Sequence, residues 1–261
     1  MNLGSKEKII TGKEIAERMK KVKKKIGVLS GKGGVGKSTV SALLAVHYAR
    51  EGYQVGIYDV DFLGPSIPRL FGIERKKYEM ILSRDGLEPV YSDRLGIRVV
   101  SIQFLLPKSE TPVMWRGVAV NQAIRTFLGG CSFGELDYLI FDFPPGTGEA
   151  PLTVMDFVEL DGIVMVTIPH DLSYMVVEKA LKMAEKFDTE IIGLVENMSY
   201  FICPKCGEKH NIFLGEDSEI LAAKYGIERV IKIPIDLKLA KFADRGRIED
   251  YGIDYFEDFD Y

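Results

Sequence analysis

Gly31-Lys32-Gly33-Gly34-Val35-Gly36-Lys37-Ser38-Thr39 fits the pattern G-x-x-x-x-G-K-S/T, with Gly31 and Gly36 as its fixed glycines. Glycines let successive backbone N–H groups turn inward around phosphate oxygens, Lys37 supplies a point charge, and the Ser38 hydroxyl can hold Mg²⁺. A turn that only joins a strand to a helix needs neither the lysine nor the hydroxyl, so this stretch reads as a phosphate cradle.

Three aspartates suit work beside such a cradle. Asp59-Val60-Asp61 follows a short apolar run; carboxylates two apart at a strand end share one side, which fits support of Mg²⁺ and orientation of an attacking water. Leu136-Asp137-Tyr138-Leu139-Ile140-Phe141 ends in Asp142, and an apolar strand closing on a carboxylate completes a nucleotide site downstream of a phosphate loop. The turn beyond it, Pro144-Pro145-Gly146-Thr147-Gly148-Glu149, carries glycines whose backbone N–H groups could sense a γ-phosphate. On chemistry alone Asn197 and the turn Ile233-Pro234-Ile235-Asp236 are either purine contacts or ordinary loop residues.

Cys203-Pro204-Lys205-Cys206-Gly207 is a second chemical centre. The Cys-x-x-Cys spacing lets both thiolates reach one metal, and the glycine frees the backbone to donate to sulfur. A closed site takes about four ligands, and the knuckle has two cysteines. Three completions stay open. Two chains could pool their pairs around one 4Fe-4S cluster, His210 and another group could complete a Zn²⁺ site, or the pair could be a redox dithiol, though no helix N-terminus is expected there to lower a thiol pKa. Cys131, alone after Gly129-Gly130, reads as a small buried hydrophobe.

These residues need a frame. Ile26 to Ser30 read as a buried strand before the loop and Val40 to Arg50 as the helix after it, whose positive N-terminal end adds to the cradle. Apolar runs at Val55 to Tyr58, Ile97 to Ile102, Tyr138 to Phe141, Gly162 to Ile168, Ile191 to Val195 and Val230 to Ile233 alternate with helical stretches. That order predicts an α/β fold, a mostly parallel twisted sheet with helices on both faces and ligands at the carboxyl ends of its strands. Residues 1–24 read as a basic helical extension, a helix at Glu14 to Met19 followed by Lys20, Lys21, Lys23, Lys24 and Lys25. Residues 25–261 read as the phosphate-loop domain, with the cysteine knuckle inserted at about 199–213.

At 261 residues and 46% hydrophobic content the chain can bury one substantial core. It has no run of about 18 apolar residues, and Met1 to Lys25 is lysine-rich without an apolar segment, so a cytoplasmic location without membrane contact is expected. The net charge of -4 makes no general case for nucleic acid, and no aromatic residue interleaves the lysine run to stack on bases.

Lys32 gives the loop a second lysine, and here the chain resembles the deviant Walker A family that includes MinD, ParA and the nitrogenase iron protein. In that family the extra lysine crosses a dimer interface to the partner's nucleotide; a cation supplied in trans to phosphoryl transfer is worth roughly 10³ to 10⁵ in rate in related systems. The further combination is Asp59-Val60-Asp61 with Gly64-Pro65-Ser66, Met114-Trp115-Arg116-Gly117, Asp142 with Pro144-Pro145-Gly146-Thr147-Gly148, and Asn197-Met198-Ser199-Tyr200 ahead of Cys203 and Cys206. With it the chain resembles the Mrp/ApbC-like ATPases from about Lys25 to Asp244.

The resemblance implies a homodimer that binds Mg-ATP, hydrolyses it slowly and carries a bridging 4Fe-4S cluster to apo iron-sulfur proteins, each subunit giving Cys203 and Cys206. It implies catalytic roles for Lys32, Lys37 and Asp61, with Asp61 in a first switch near the attacking water. Mg²⁺ would be held by Ser38, Asp59 and Asp142, the last in a second switch, and Asn197 would lie beside adenine with Pro234 and Asp236. Val118-Ala119, Glu149 and His170 depart from the usual pattern without touching phosphate or cysteine chemistry. Trp115 reads as an anchor and His170 as a loop residue. Two alternatives are a ParA/MinD-like ATP-dependent positioning switch and an ATPase assembly factor with structural zinc.

Overall fold

Ile26 to Ser30, Tyr138 to Asp142 and Gly162 to Thr167 are buried without a break. Successive side chains on a strand face opposite ways, so both faces of these strands are covered. The structure, a computed structural model, describes residues 11–74, 78–105, 117–169, 173–213, 215, 218–259 and 261, excepting the side chains of 117–119 and 173–177. Met114, Trp115, Arg116 and His170 lie outside the described residues.

The first half of the chain runs α1 (Gly12–Met19), β1 (Val22–Ser30), α2 (Lys37–Arg50), β2 (Val55–Asp59), α3 (Ile67–Leu70), a hairpin of β3 (Leu82–Ser83) and β4 (Gly86–Leu87), β5 (Val90–Tyr91) and β6 (Arg98–Ser101). The second half runs α4 (Gly117–Gly130), β7 (Leu136–Asp142), α5 (Glu149–Met155), β8 (Gly162–Thr167), α6 (Ser173–Lys186), β9 (Ile191–Glu196), a hairpin of β10 (Phe201–Ile202) and β11 (Lys209–His210), α7 (Ser218–Lys224), β12 (Val230–Lys232) and α8 (Leu237–Asp244).

Eight strands form one sheet in the order β12-β9-β8-β1-β7-β2-β6-β5. All neighbours are parallel except β5, which pairs antiparallel with β6 at the edge. The fold is the mostly parallel α/β sheet of a P-loop NTPase with helices on both faces, as the alternation of apolar runs predicts. α2 packs on β1, β2 and β7 and is overlaid by α3 and the turn Ile248–Asp250, so it is buried nearly all round, from Val40 to Tyr48. Register brings the chemistry together: Asp59 at the end of β2 is the lateral partner of Asp142 at the end of β7.

One expectation needs correction. β1 begins at Val22 rather than Ile26, so a boundary after residue 24 falls inside a strand. The lysine run did not look like a strand because charge hid it, but each cation of its second half has a partner. Lys23 pairs with Asp137 at 2.7 Å, Lys25 with Asp161 at 2.8 Å, and the Lys24 ammonium sits 4.5 Å from the centre of the Tyr261 ring. The expected helix before the strand is present as α1 and packs on the domain: its N-cap Thr11 and Glu14 form a capping box, Ile15 is fully buried, and α1 packs on α4. Among the described residues no helix is long and apolar enough to cross a membrane.

Candidate functional site

The phosphate loop links β1 to α2 at the carboxyl edge of the sheet. Gly34 and Gly36 take left-handed φ of 81° and 80°, and Gly36 caps α2, whose first residue is Lys37. Behind the loop lies Asn197, buried, its side-chain amide donating to the Val35 carbonyl at 2.8 Å. A Cβ on Gly36 would overlap that amide nitrogen, so the glycine is required by the neighbour as well as by φ.

Lys37 and Ser38 converge on Asp142. Lys37 Nζ lies 2.6 Å from Oδ1, which also accepts from Ser41 at 2.7 Å, and Ser38 Oγ donates to Oδ2 at 2.6 Å. Asp59, fully buried beside Asp142, accepts from Ser101 Oγ at 3.1 Å and from the N–H groups of Asp61 and Ile67, each at 3.3 Å. Burial and then the neighbouring Asp142 hold the Asp59 carboxyl well above the usual carboxylate range, against the pull of Lys37. Two carboxylates thus share one lysine. Extra positive charge would be welcome there, and with the Ser38 hydroxyl at hand this donor set fits Mg²⁺.

β2 ends at Asp59, so Asp61 lies beyond the strand in the turn that follows, close enough to raise the Asp59 pKa further. Asp61 accepts from Gly64 N–H at 3.0 Å and lines a cavity of about 380 Å³ over the loop. Residues 30 and 32–39, Pro145 and Ser66 line the same cavity. The turn after β7 is tied to the loop, Gly146 N–H donating to Ser30 O at 2.7 Å. Sequence reasoning missed Ser41, whose place one helical turn beyond Lys37 puts it on the same face of α2 and was the available signal. It also missed Arg69, Leu70, Ala243 and Asp244, which complete the cavity wall from α3 and α8. Asn197, Pro234 and Asp236 are not among the lining residues; Asp236 caps α8 through Lys238 N–H and accepts from Tyr251 at 2.6 Å.

Cys203 and Cys206 lie in the β10/β11 hairpin, off the main sheet, both as free thiols and Cys206 exposed. The turn is closed by Cys203 N–H on Glu208 O and Gly207 N–H on Cys203 O, each at 2.9 Å, with Gly207 left-handed at φ 75°. No helix begins at the hairpin, as expected, yet the Cys203 thiol pKa is lowered by another device. The backbone N–H groups of Cys206 and Lys205, then the Cys206 thiol, stabilise the Cys203 thiolate and bring its pKa down. A turn of inward N–H groups does what a helix N-terminus would do. Among the described residues no group of three or more His, Cys, Asp or Glu side chains is placed to hold a metal ion. His210 faces Glu208 at 3.8 Å. The segment from Asn197 to Cys203 joins loop and hairpin, passing through Met198 at a left-handed φ of 54°.

The family model described as ParA, NUBPL iron-transfer P-loop NTPase, matches residues 21–253. An iron-sulfur cluster carrier protein of Saccharolobus solfataricus is 45% identical over 89% of this chain and 78% of its own length. A cytosolic Fe-S cluster assembly factor NUBP2 homolog of Dictyostelium discoideum is 44% identical over 92% of this chain and 89% of its own. A nucleotide-binding protein of Archaeoglobus fulgidus, solved in complex with ADP, superposes with a TM-score of 0.87 at 52% identity, over 97% of this chain and 98% of that one. MinD of Pyrococcus horikoshii with Mg-ADP, TM-score 0.60 at 19% identity over 85% of this chain and 86% of that one, shares the fold. The chain belongs to the NUBPL iron-transfer family of P-loop NTPases.

Proposed function

We propose that two copies of this chain bind ATP, hydrolyse it slowly, and hold between them a 4Fe-4S cluster that they pass to apo iron-sulfur proteins in the cytoplasm. The observation that carries this reading is the Cys203/Cys206 pair, half-buried and exposed respectively, raised on a hairpin by the same segment whose Asn197 is bonded into the phosphate loop. Two thiols on one chain supply half of a four-ligand centre, and a second copy supplies the rest. The names of the Saccharolobus and Dictyostelium relatives support a carrier or assembly role.

In this reading Lys37 exchanges Asp142 for nucleotide phosphates, and Asp61, in the cavity rather than under it, orients the attacking water. Lys32 is exposed on the loop, where it is free to reach the nucleotide of a partner. Ser38 and Asp142, backed by Asp59, would hold Mg²⁺, whose charge neutralises phosphate oxygens. Asn197, Pro234 and Asp236 would meet the base after rearranging around it.

Anaerobic purification with iron, sulfide and zinc analysis, on wild type and on Cys203→Ser/Cys206→Ser, tests the reading. About four irons and four sulfides per dimer, lost in the variant, is the expected result. Stoichiometric zinc that survives cluster reconstitution would make the hairpin structural. The positioning-switch alternative predicts ATP-dependent, steeply salt-sensitive binding to duplex DNA, and the pairing of Lys23 and Lys25 with aspartates argues against it.

A further inference from the structure

Two walls of the nucleotide cavity come from elements that carry no phosphate-loop motif: Arg69 and Leu70 of α3, and Ala243 and Asp244 at the end of α8. α3 has four residues, too few to fix its own orientation, yet it is fastened at both ends. At its start Ile67 N–H donates to the buried Asp59 carboxylate at 3.3 Å. At its end Gly72 N–H donates to Arg69 O at 3.1 Å, and Gly72 and Gly246 press backbone against backbone, both left-handed at φ 68° and 66°. A Cβ on Gly72 would lie 2.5 Å from Gly246 O, and one on Gly246 would lie 2.9 Å from Arg69 O. The carbonyl of Arg69 is therefore clamped between two helix ends.

The charged side chains lining the cavity are Lys32, Lys37 and Arg69 against Asp61 and Asp244. Lys37 is already paired with Asp142. Arg69 is exposed, and among the described residues its guanidinium has no carboxylate within ion-pair distance, Asp244 included. An unpaired guanidinium on a rigid mount, on the segment that also brings Asp61 and Ser66 to the cavity, is suited to a bidentate grip on phosphate.

We propose that Arg69 is a phosphate-binding residue of this site, holding the terminal phosphates of the nucleotide from within the same chain. The inference rests on the reading of the cavity as an ATP site and adds a cation that the loop motif does not contain. Lys37 and Arg69 then grip the polyphosphate from opposite walls, and Lys32 remains free for the partner.

The test is binding of Mg-ATP, Mg-ADP and AMP, the last by competition, to the full chain and to Arg69→Gln and Arg69→Lys. Arg69→Gln should weaken ATP and ADP by about tenfold, leave AMP within about twofold, and make ATP binding less sensitive to salt. Arg69→Lys, which keeps the charge and loses the fork, should fall between, and it also guards against a folding defect in the glutamine variant. ATP affinity equal to wild type in Arg69→Gln overturns the proposal, as does an AMP loss as large as the ATP loss, which would put the guanidinium on the base or ribose. A wild-type chain that binds no ATP at all would instead sink the reading of the cavity.

Discussion

Lys37 Nζ and Asp142 Oδ1 lie 2.6 Å apart with the lysine side chain 7% and the aspartate 0% exposed. The cation of the phosphate loop and the carboxylate that closes β7 are therefore each other's partner. Both groups change partners on nucleotide binding in the proposed cycle, so one contact serves the fold and readies the site. Lys37→Ala should abolish ATP binding. It should also destabilise the nucleotide-free chain by about 3–5 kcal/mol, the cost of leaving one member of a buried pair uncompensated. Urea unfolding without nucleotide reads the second effect; an unchanged midpoint would mean that Ser38 and Ser41 alone satisfy Asp142.

Asp59 is a liability for stability. Its folded pKa is held above that of the unfolded chain, by burial first and by Asp142 second. Its contribution is thus fully present below the unfolded value of about 4 and is lost as pH rises through the folded one. Asp59→Asn removes that loss and can donate to Asp142. The nucleotide-free variant should be more stable than wild type at pH 7 to 8, with the gap closing toward pH 4, while Mg-dependent nucleotide binding weakens. Denaturant melts across that pH range decide it, and a variant less stable at pH 7 contradicts the assignment.

Most of the frame was legible because buried parallel strands are continuous apolar runs, and the loop motif is local in sequence. Asp142 could be picked out for the same reason, as the polar end of such a run. Two kinds of feature were not legible. Val22 to Lys25 form a strand whose lysines are answered by Asp137, Asp161 and Tyr261, residues more than a hundred positions away. Arg69 and Asp244 line one cavity because Gly72 and Gly246 touch, a contact between two ordinary-looking glycines. Neither periodicity nor spacing carries such pairings.

Gly36 and Asn197 form a tighter unit than either motif suggests. The asparagine amide occupies the space a Cβ would need and donates to Val35 O at 2.8 Å. Gly36→Ala should lose nucleotide binding and unfold at lower denaturant. The double variant Gly36→Ala/Asn197→Ala should recover little, because φ at 36 stays at 80°. Full recovery of stability in the double variant would show that the clash alone, without backbone strain, sets the requirement.

Cys131 and Cys203 should separate cleanly by reactivity. Burial pushes the Cys131 thiol up to about 12, whereas the N–H groups of Cys206 and Lys205 bring Cys203 down. A lowered pKa raises the thiolate fraction faster than it lowers intrinsic nucleophilicity, so at pH 7 the gain in fraction wins. Alkylation of the metal-free chain with iodoacetamide, followed by peptide mass spectrometry across pH, should show Cys203 reacting with a midpoint below the ordinary thiol value of about 8.5, and Cys131 unmodified until the chain unfolds. The pH dependence of metal loading follows from the same cause, since ligation needs thiolates: a hairpin that pre-stabilises one of its two should load below the pH at which an unstructured Cys-x-x-Cys peptide does. Equal midpoints for chain and peptide would remove the turn's N–H groups from the account of how this site captures its cargo.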